Sequence, residues 1–442
     1  MFSRFFNKKS SKEKSKTNQD LQKIKLVIVS FEDNCLTNSG KILSQYLSSN
    51  TLLSVAYYDE NLNKSFLDLQ SRNFFDLTDT GNQILKKTNS DILIWGYRED
   101  KKIRLNFQTK NQYENKYLPF FSLLNSLYLP LEDFQQKKLT DSILNLIFAT
   151  ILAIYNKADY LPILQQTVAK INNSAPPKNL NVDYMPYILN MLALCYLAST
   201  HYKLEKSDIK IVSSILKNAL TYQKKETKSV FEGLIYANLG QLYHLASDLS
   251  VENKYTNCQL AIDCYNLSQK YFYRHTYPYD FAFTAYRLSK LYFDNWKYTT
   301  DIQSLRDAVF QLREALKVFS NIVYPKIWAE IQNDLGLYLS MMAVFSKNEE
   351  IGMIAVDNYK KYQTVYTIQS HPIQWAKAQE NIANIFFECG KIYRSEQYFE
   401  QAYKYYSDAE NIYTEHGLTD QIKQVQLSML KTDEYLIKIS QY

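Results

Sequence analysis

Glycine and proline are scarce, with 9 of each in 442 residues. So few breakers leave little chain for long irregular loops and favour helix. Cysteine is sparse too, and the five (Cys35, Cys195, Cys258, Cys264 and Cys389) form no Cys-x-x-Cys pair. An odd set without further ligands at metal-site spacing excludes a disulfide scaffold and a zinc knuckle, and fits buried thiols in a reducing cytosol. The histidines (His201, His244, His275, His371 and His416) never pair at i+4, so no helical metal site is written. No Gly-x-Gly-x-x-Gly or Gly-x-Ser-x-Gly occurs. Gly40-Lys41 fails as a phosphate loop, because Cys35 stands where the first glycine belongs and Ile42 where the hydroxyl belongs. No catalytic residue, cofactor or metal is therefore expected. Long apolar runs are missing as well. Ile143–Tyr155 is interrupted by Asn145 and is too short to span a bilayer. Met1-Phe-Ser-Arg-Phe-Phe leads into Asn7-Lys8-Lys9 rather than a signal-peptide core, so a cytoplasmic location is expected.

What is plentiful is apolar and aromatic: 46% hydrophobic residues, including 38 Tyr and 23 Phe, enough for sizeable cores. With the abundant Lys, Asn and Ile, the tyrosines fit AT-rich codon usage. The net charge of +6 is concentrated, since residues 1–25 carry eight basic residues against two acidic ones. The rest is formally neutral, so no nucleic-acid surface is expected. Residues 1–22 read as a disordered basic tail able to touch an anionic membrane surface.

Organisation comes from repetition. Pro278, Pro325 and Pro372 open Pro-x-x-aromatic-Ala segments with Phe281, Trp328 and Trp375 as the aromatic. Leu288, Leu335 and Ile382 keep the same 47-residue step, as do Gln332 and Gln379, and Ala261, Ala308, Ala355 and Ala402. A fixed period of this length means stacked supersecondary units. Each unit resolves into helix A (326–344 in the clearest copy) and helix B (351–368). Ala355, Tyr359, Tyr362 and Tyr366 form one stripe on helix B. Small residues (Ala193, Gly240, Ser289, Gly336 and Ala383) mark close helix crossings. Gly240 to Ala261 is two residues longer than its equivalents, which puts the extra pair in the loop at 247–256.

Before the repeats, strands are expected at 25–31, 52–58, 91–96 and 102–108, with helices at 38–48 and 76–88 between the first three. An edge strand at 127–130 and an apolar helix at 139–155 follow. The fold class is thus mostly α: an α-solenoid of two-helix repeats preceded by a small α/β domain. The expected divisions are the tail 1–22, the α/β domain 23–135, connecting helices 136–180 and the array 181–442.

Asn238-Leu239-Gly240-x-x-Tyr243 and Ala402-x-x-x-Tyr406-x-x-Ala409 resemble the two helix signatures of tetratricopeptide repeats. The longer period and Pro-x-x-Trp-Ala-x-x-Gln are similar to extended tetratricopeptide arrays of bacteria, over about residues 180–415. Residues 24–110, ending in Asp91-Ile-Leu-Ile-Trp-Gly96 and an alternating strand, resemble the amino-terminal domain of the TolB family. Both resemblances imply an interaction role without chemistry. In such arrays helix A lines the concave face, which nominates Asn238, Gln241, Arg287, Lys290, Asn381 and Asn384 as a polar groove for a protein or peptide partner. A non-enzymatic scaffold is the leading reading. The alternatives are a peripheral membrane adaptor using the tail, and an enzyme with an unrecognised site in the α/β domain.

Overall fold

The computed structural model describes residues 21–31, 39–61, 74–109, 125–173, 182–200, 203–222, 229–249 and 253–440. The expected tail, except for its last two residues, Cys35 and part of the 247–256 loop lie outside the described residues. The chain is mostly helical, with a small mixed sheet ahead of a helical array, and forms two compact units, Met1–Asp280 and Phe281–Tyr442.

In the first unit the β-branched run becomes β1 (Ile24–Ser30), followed by α1 (Ser39–Ser48), β2 (Leu53–Asn61), α2 (Phe74–Lys87), β3 (Ile92–Glu99), β4 (Lys102–Thr109) and β5 (Leu127–Pro130). The strand order is β2-β1-β3-β4-β5. β1 runs parallel to β2 and β3, while β4 is antiparallel to β3 and β5. β1 sits inside the sheet, and Ile24, Leu26, Val27, Ile28 and Val29 are all at 1% exposure or less. A continuous apolar run rather than alternation is what a strand covered on both faces requires. Val27, Val29, Leu93 and Trp95 pack with Ile84 and Leu85 of α2. The β3–β4 hairpin closes at Asp100, in the left-handed region at φ 56°.

Helices α3 (Leu131–Gln135), α4 (Asp141–Tyr155), α5 (Leu161–Asn173), α6 (Met185–Ser199), α7 (Lys206–Thr221), α8 (Val230–Leu249) and α9 (Lys254–Gln269) complete this unit. The compact unit thus takes in these helices and reaches Asp280. The reason is physical, because side chains of the sheet and of α6 and α8 share one interior. Tyr128 of β5 meets Tyr187 of α6 at 4.3 Å, and Tyr187 meets Phe231 of α8 at 4.4 Å between ring centroids.

The second unit is periodic. α10 (Pro278–Thr299), which it takes up from Phe281, α12 (Pro325–Ser346), α14 (Pro372–Tyr393) and α16 (Thr419–Ser440) each hold 22 residues and begin 47 residues apart. α11 (Ile302–Leu316), α13 (Glu349–Gln363) and α15 (Glu396–Glu415) start at the same step. Thr300, Lys347 and Arg394 occupy matching turns with φ of 54°, 49° and 50°. Asn253, at φ 65°, takes the same place before α9 in the first unit. After each turn a short polar residue caps the next helix where its side chain reaches: Asp301 accepts from the Gln303 and Ser304 N–H groups, and Asn348 from Ile351.

The returns repeat too. Proline forces its predecessor out of the helical region, and Tyr324 and His371 accordingly sit at φ −131° and −145°. Their N–H groups donate to Ser320 and Thr367 carbonyls at 2.9 and 2.8 Å. Their rings stand edge-on to Phe319 and Tyr366, at 5.3 and 5.0 Å. This return corrects one expectation: helix B of the clearest copy ends at Gln363, not at 368. Tyr366 is thereby outside the helix, stacked on Tyr362 at 4.6 Å and edge-on to His371.

The hairpins close through small-against-large contacts. Tyr359, at 1% exposure, lies over Gly336 so closely that a Cβ there would come within 2.8 Å of its ring. Gly390 receives Phe399 in the same way, at 2.9 Å. In the first unit Gly240 receives Tyr265, at 2.9 Å. Glycine in mid-helix costs about 1 kcal/mol relative to alanine, and burial of a whole tyrosine ring offsets it. Among the described residues no helix is long and apolar enough to cross a membrane.

Candidate functional site

In the second unit, α12 and α14 flank a cavity of about 100 Å³, with Tyr359 of α13 at its floor. The wall is mainly apolar, from Leu337, Met341, Val344, Ile385 and Ile392. Ser340, Asn381, Asn384 and Glu388 supply polar groups on its lining. Met341, Val344 and Tyr393 are 36, 41 and 42% exposed, so this lining reaches the surface. The 47-residue step produces the arrangement, because consecutive A helices present equivalent faces, with helix B underneath.

The polar groups are held in place. Tyr406 donates its hydroxyl to Asn384 Oδ1 at 2.5 Å, orienting that amide. Glu388 is paired with Lys391 one turn on, at 2.8 Å. Tyr393 donates to the Lys347 carbonyl at 2.8 Å and accepts from the Glu349 N–H at 3.1 Å, which ties the end of α14 to the start of α13. Burial, with Glu349 and Glu388 adding to it, pushes the Cys389 thiol up to about 11. Such a thiol stays protonated near neutrality and is a poor nucleophile. Burial also raises Tyr359 above the ordinary tyrosine value, so its hydroxyl stays neutral. The cleft thus combines a mainly apolar wall with an oriented amide at Asn384.

The six groove residues proposed from sequence have different surroundings. Asn381 and Asn384 line the cleft. Lys290 lies 3.7 Å from Asp334 Oδ2, with its ammonium 4.6 Å from the Tyr286 ring centre. Its charge is thus already opposed. The Arg287 guanidinium lies 6.0 Å from the Phe283 ring. In the first unit, Asn238 and Gln241, also nominated for the groove, are buried at 4 and 5% exposure. Asn238 Nδ2 donates to Asn190 Oδ1 at 2.8 Å and to Asn125 Oδ1 at 3.1 Å, and Asn190 donates to Asn125 at 3.2 Å. This amide triad joins α6 and α8 to the residue leading into β5.

Sequence reasoning missed a second polar cluster nearby. Arg104 of β4 is buried, donating to Ser126 Oγ at 2.9 Å and to the Tyr97 hydroxyl at 2.7 Å. Its guanidinium lies 5.6 and 5.5 Å from the Tyr97 and Tyr128 ring centres. Ser126 in turn donates its hydroxyl to Asn106 Oδ1 at 2.7 Å. Burial raises Tyr97 despite the adjacent cation, keeping that hydroxyl a neutral partner. The available signal was an arginine between Ile103 and Leu105 in a strand whose neighbours are all buried.

Cys195 and Cys258 are buried and Cys264 half-buried, all as free thiols, and burial pushes Cys195 to about 12 and Cys264 to about 11. No family model and no curated protein matches the chain. Among solved structures, the crystal structure of BtubC (BKLC) from P. vanneervenii is similar at 14% identity and a TM-score of 0.35, over 63% of this chain and 93% of that one.

Proposed function

We propose that the chain is a non-enzymatic interaction scaffold whose hairpins stack in the manner of an extended tetratricopeptide solenoid and receive a protein or peptide partner on the face formed by the A helices. The observation that carries this reading is the repetition itself. Helices α10, α12, α14 and α16 have one length and one 47-residue step, and two of them share a partly open cleft with a fixed amide at its edge. Repeats of this kind serve to present extended surfaces. A peptide would seat an apolar side chain over Tyr359 and bond its backbone to Asn381 and Asn384. Lys290 is shared with Asp334.

The test is affinity purification with the full chain as bait, followed by calorimetric titration of the recovered partner. Asn384→Ala with Asn381→Ala should weaken binding by about 1–3 kcal/mol, the range for hydrogen bonds left unmade in a contact. Unchanged affinity, with binding lost on replacing exposed residues of the sheet unit, would move the site there. Liposome sedimentation with and without residues 1–22 separates this function from membrane adaptation through the basic tail.

A further inference from the structure

α16 has the register of a helix A, beginning 47 residues after α14 and matching its length. Its inner side is filled: Val425 and Thr432 are at 0% exposure, and Tyr435 stacks on Phe399 at 5.8 Å. Its outer side differs from those of α12 and α14, whereas α10 carries Ser289 and the half-buried Trp296 at the same two positions. The two positions that receive helix B are Gly336 and Ala343 in α12 and Ala383 and Gly390 in α14, all buried. In α16 the same positions are Leu430 and Ile437, at 61 and 57% exposure, with Leu427 at 53% beside them. Small residues suit a close crossing, and large aliphatic ones suit helices packed knobs-into-holes at wider spacing.

We propose that this face pairs, antiparallel, with α16 of a second copy of the chain. The spacing of Lys423, Leu427, Leu430, Glu434 and Ile437 is i, i+4, i+7, i+11, i+14, a seam of period 3.5, and all five are exposed. With a two-fold axis between residues 428 and 429, Leu427 meets Leu430 of the other copy in two central layers. Lys423 then meets Glu434 of the other copy on both sides. The seam is self-complementary in shape and charge, as an isologous interface must be. The antiparallel direction is the one in which helix B covers helix A in the preceding hairpins. Ile437 falls beside the first turn of the opposing helix, where it covers backbone and aliphatic stem. Few layers are involved, so the dimer is a weak one.

Sedimentation of the full chain over rising concentration is the test. A short interface of this class should show reversible dimer formation below about 0.3 mM. Leu430→Lys should abolish the dimer over that range. Glu434→Lys should weaken it at least about tenfold, since it sets like charges opposite each other in two layers. The swap Lys423→Glu with Glu434→Lys should restore it to within about threefold, because both layers regain opposite charges. Circular dichroism should be the same for all variants, since the substituted residues are exposed. A monomer throughout would overturn the proposal. So would a dimer indifferent to Leu430→Lys, or one lost in Glu434→Lys and not rescued by the swap.

Discussion

The sheet unit and the periodic unit bury their polar and aromatic groups by different rules. In the first, Arg104, Ser126, Asn106 and the Asn125–Asn190–Asn238 triad form single-copy networks whose members lie up to 113 residues apart. In the second, a left-handed turn and an edge-on aromatic return recur at one step, and rings lie over Gly336 and Gly390. The difference teaches where a substitution should be felt. A network holds together only when complete, because each removed partner strands another buried group. A repeated contact has equivalents, so its chemistry can vary if its volume is kept. Ser289 with Leu312 already replaces Gly336 with Tyr359 at the corresponding places, with Ser289 and Leu312 both buried.

Variants can break this contrast at either end. The largest expected effect is Tyr359→Ala, which empties a fully buried ring site and should cost about 3–5 kcal/mol in denaturant melts of the full chain. A change within about 0.5 kcal/mol would mean the ring is not packed as described. Asn238→Ala should follow at about 1–3 kcal/mol, because the Asn190 carbonyl loses its donor in a buried setting. If replacing both Asn190 and Asn238 by apolar residues costs less than Asn238→Ala alone, the network account gains; strict additivity counts against it. Gly336→Ala should cost about 1–3 kcal/mol by overpacking against the Tyr359 ring.

The smallest effect near neutrality is that of pH, and it grows only in alkali. Half-buried Tyr324 and Tyr271, bonded to Glu232, are both raised from 10.0 to about 12, and burial raises Tyr359 in the same direction. A raised folded pKa means the neutral form is favoured in the fold. That stability is complete below the unfolded value near 10 and is lost as pH climbs from there through the folded values. Tyrosinate absorbance should therefore lag behind that of the unfolded chain and rise together with loss of helicity. Ionisation of all tyrosines near pH 10 with helicity intact would contradict the burial described.

Much of the fold was legible because short-range patterns carry it. β1 announced itself as a β-branched run, the β3–β4 hairpin by alternation after Asp100, and the helix pairs by their small-residue and proline columns. What escaped has physical reasons. The triad depends on Asn125, which no local pattern connects to Asn238, so two residues expected in a groove are interior. The return column Tyr277, Tyr324 and His371 changes residue type while keeping an aromatic ring. α16 was not read as a further helix A because Leu430 replaces the small residue that marks the others. Asn381 and Asn384, nominated from spacing, both line the cleft, whereas the opposition of Lys290 by Asp334 required the neighbouring helix.

The central claim is that equivalent positions of the periodic unit are interchangeable when volume is conserved, and a double-mutant cycle at Gly336 and Tyr359 tests it most directly. Gly336→Ser with Tyr359→Leu transplants the Ser289–Leu312 pair into the α12–α13 hairpin. The account predicts favourable coupling of at least about 1 kcal/mol, leaving the double variant more stable than Gly336→Ser alone. Costs that simply add, with the double variant the least stable of the four proteins, would contradict it.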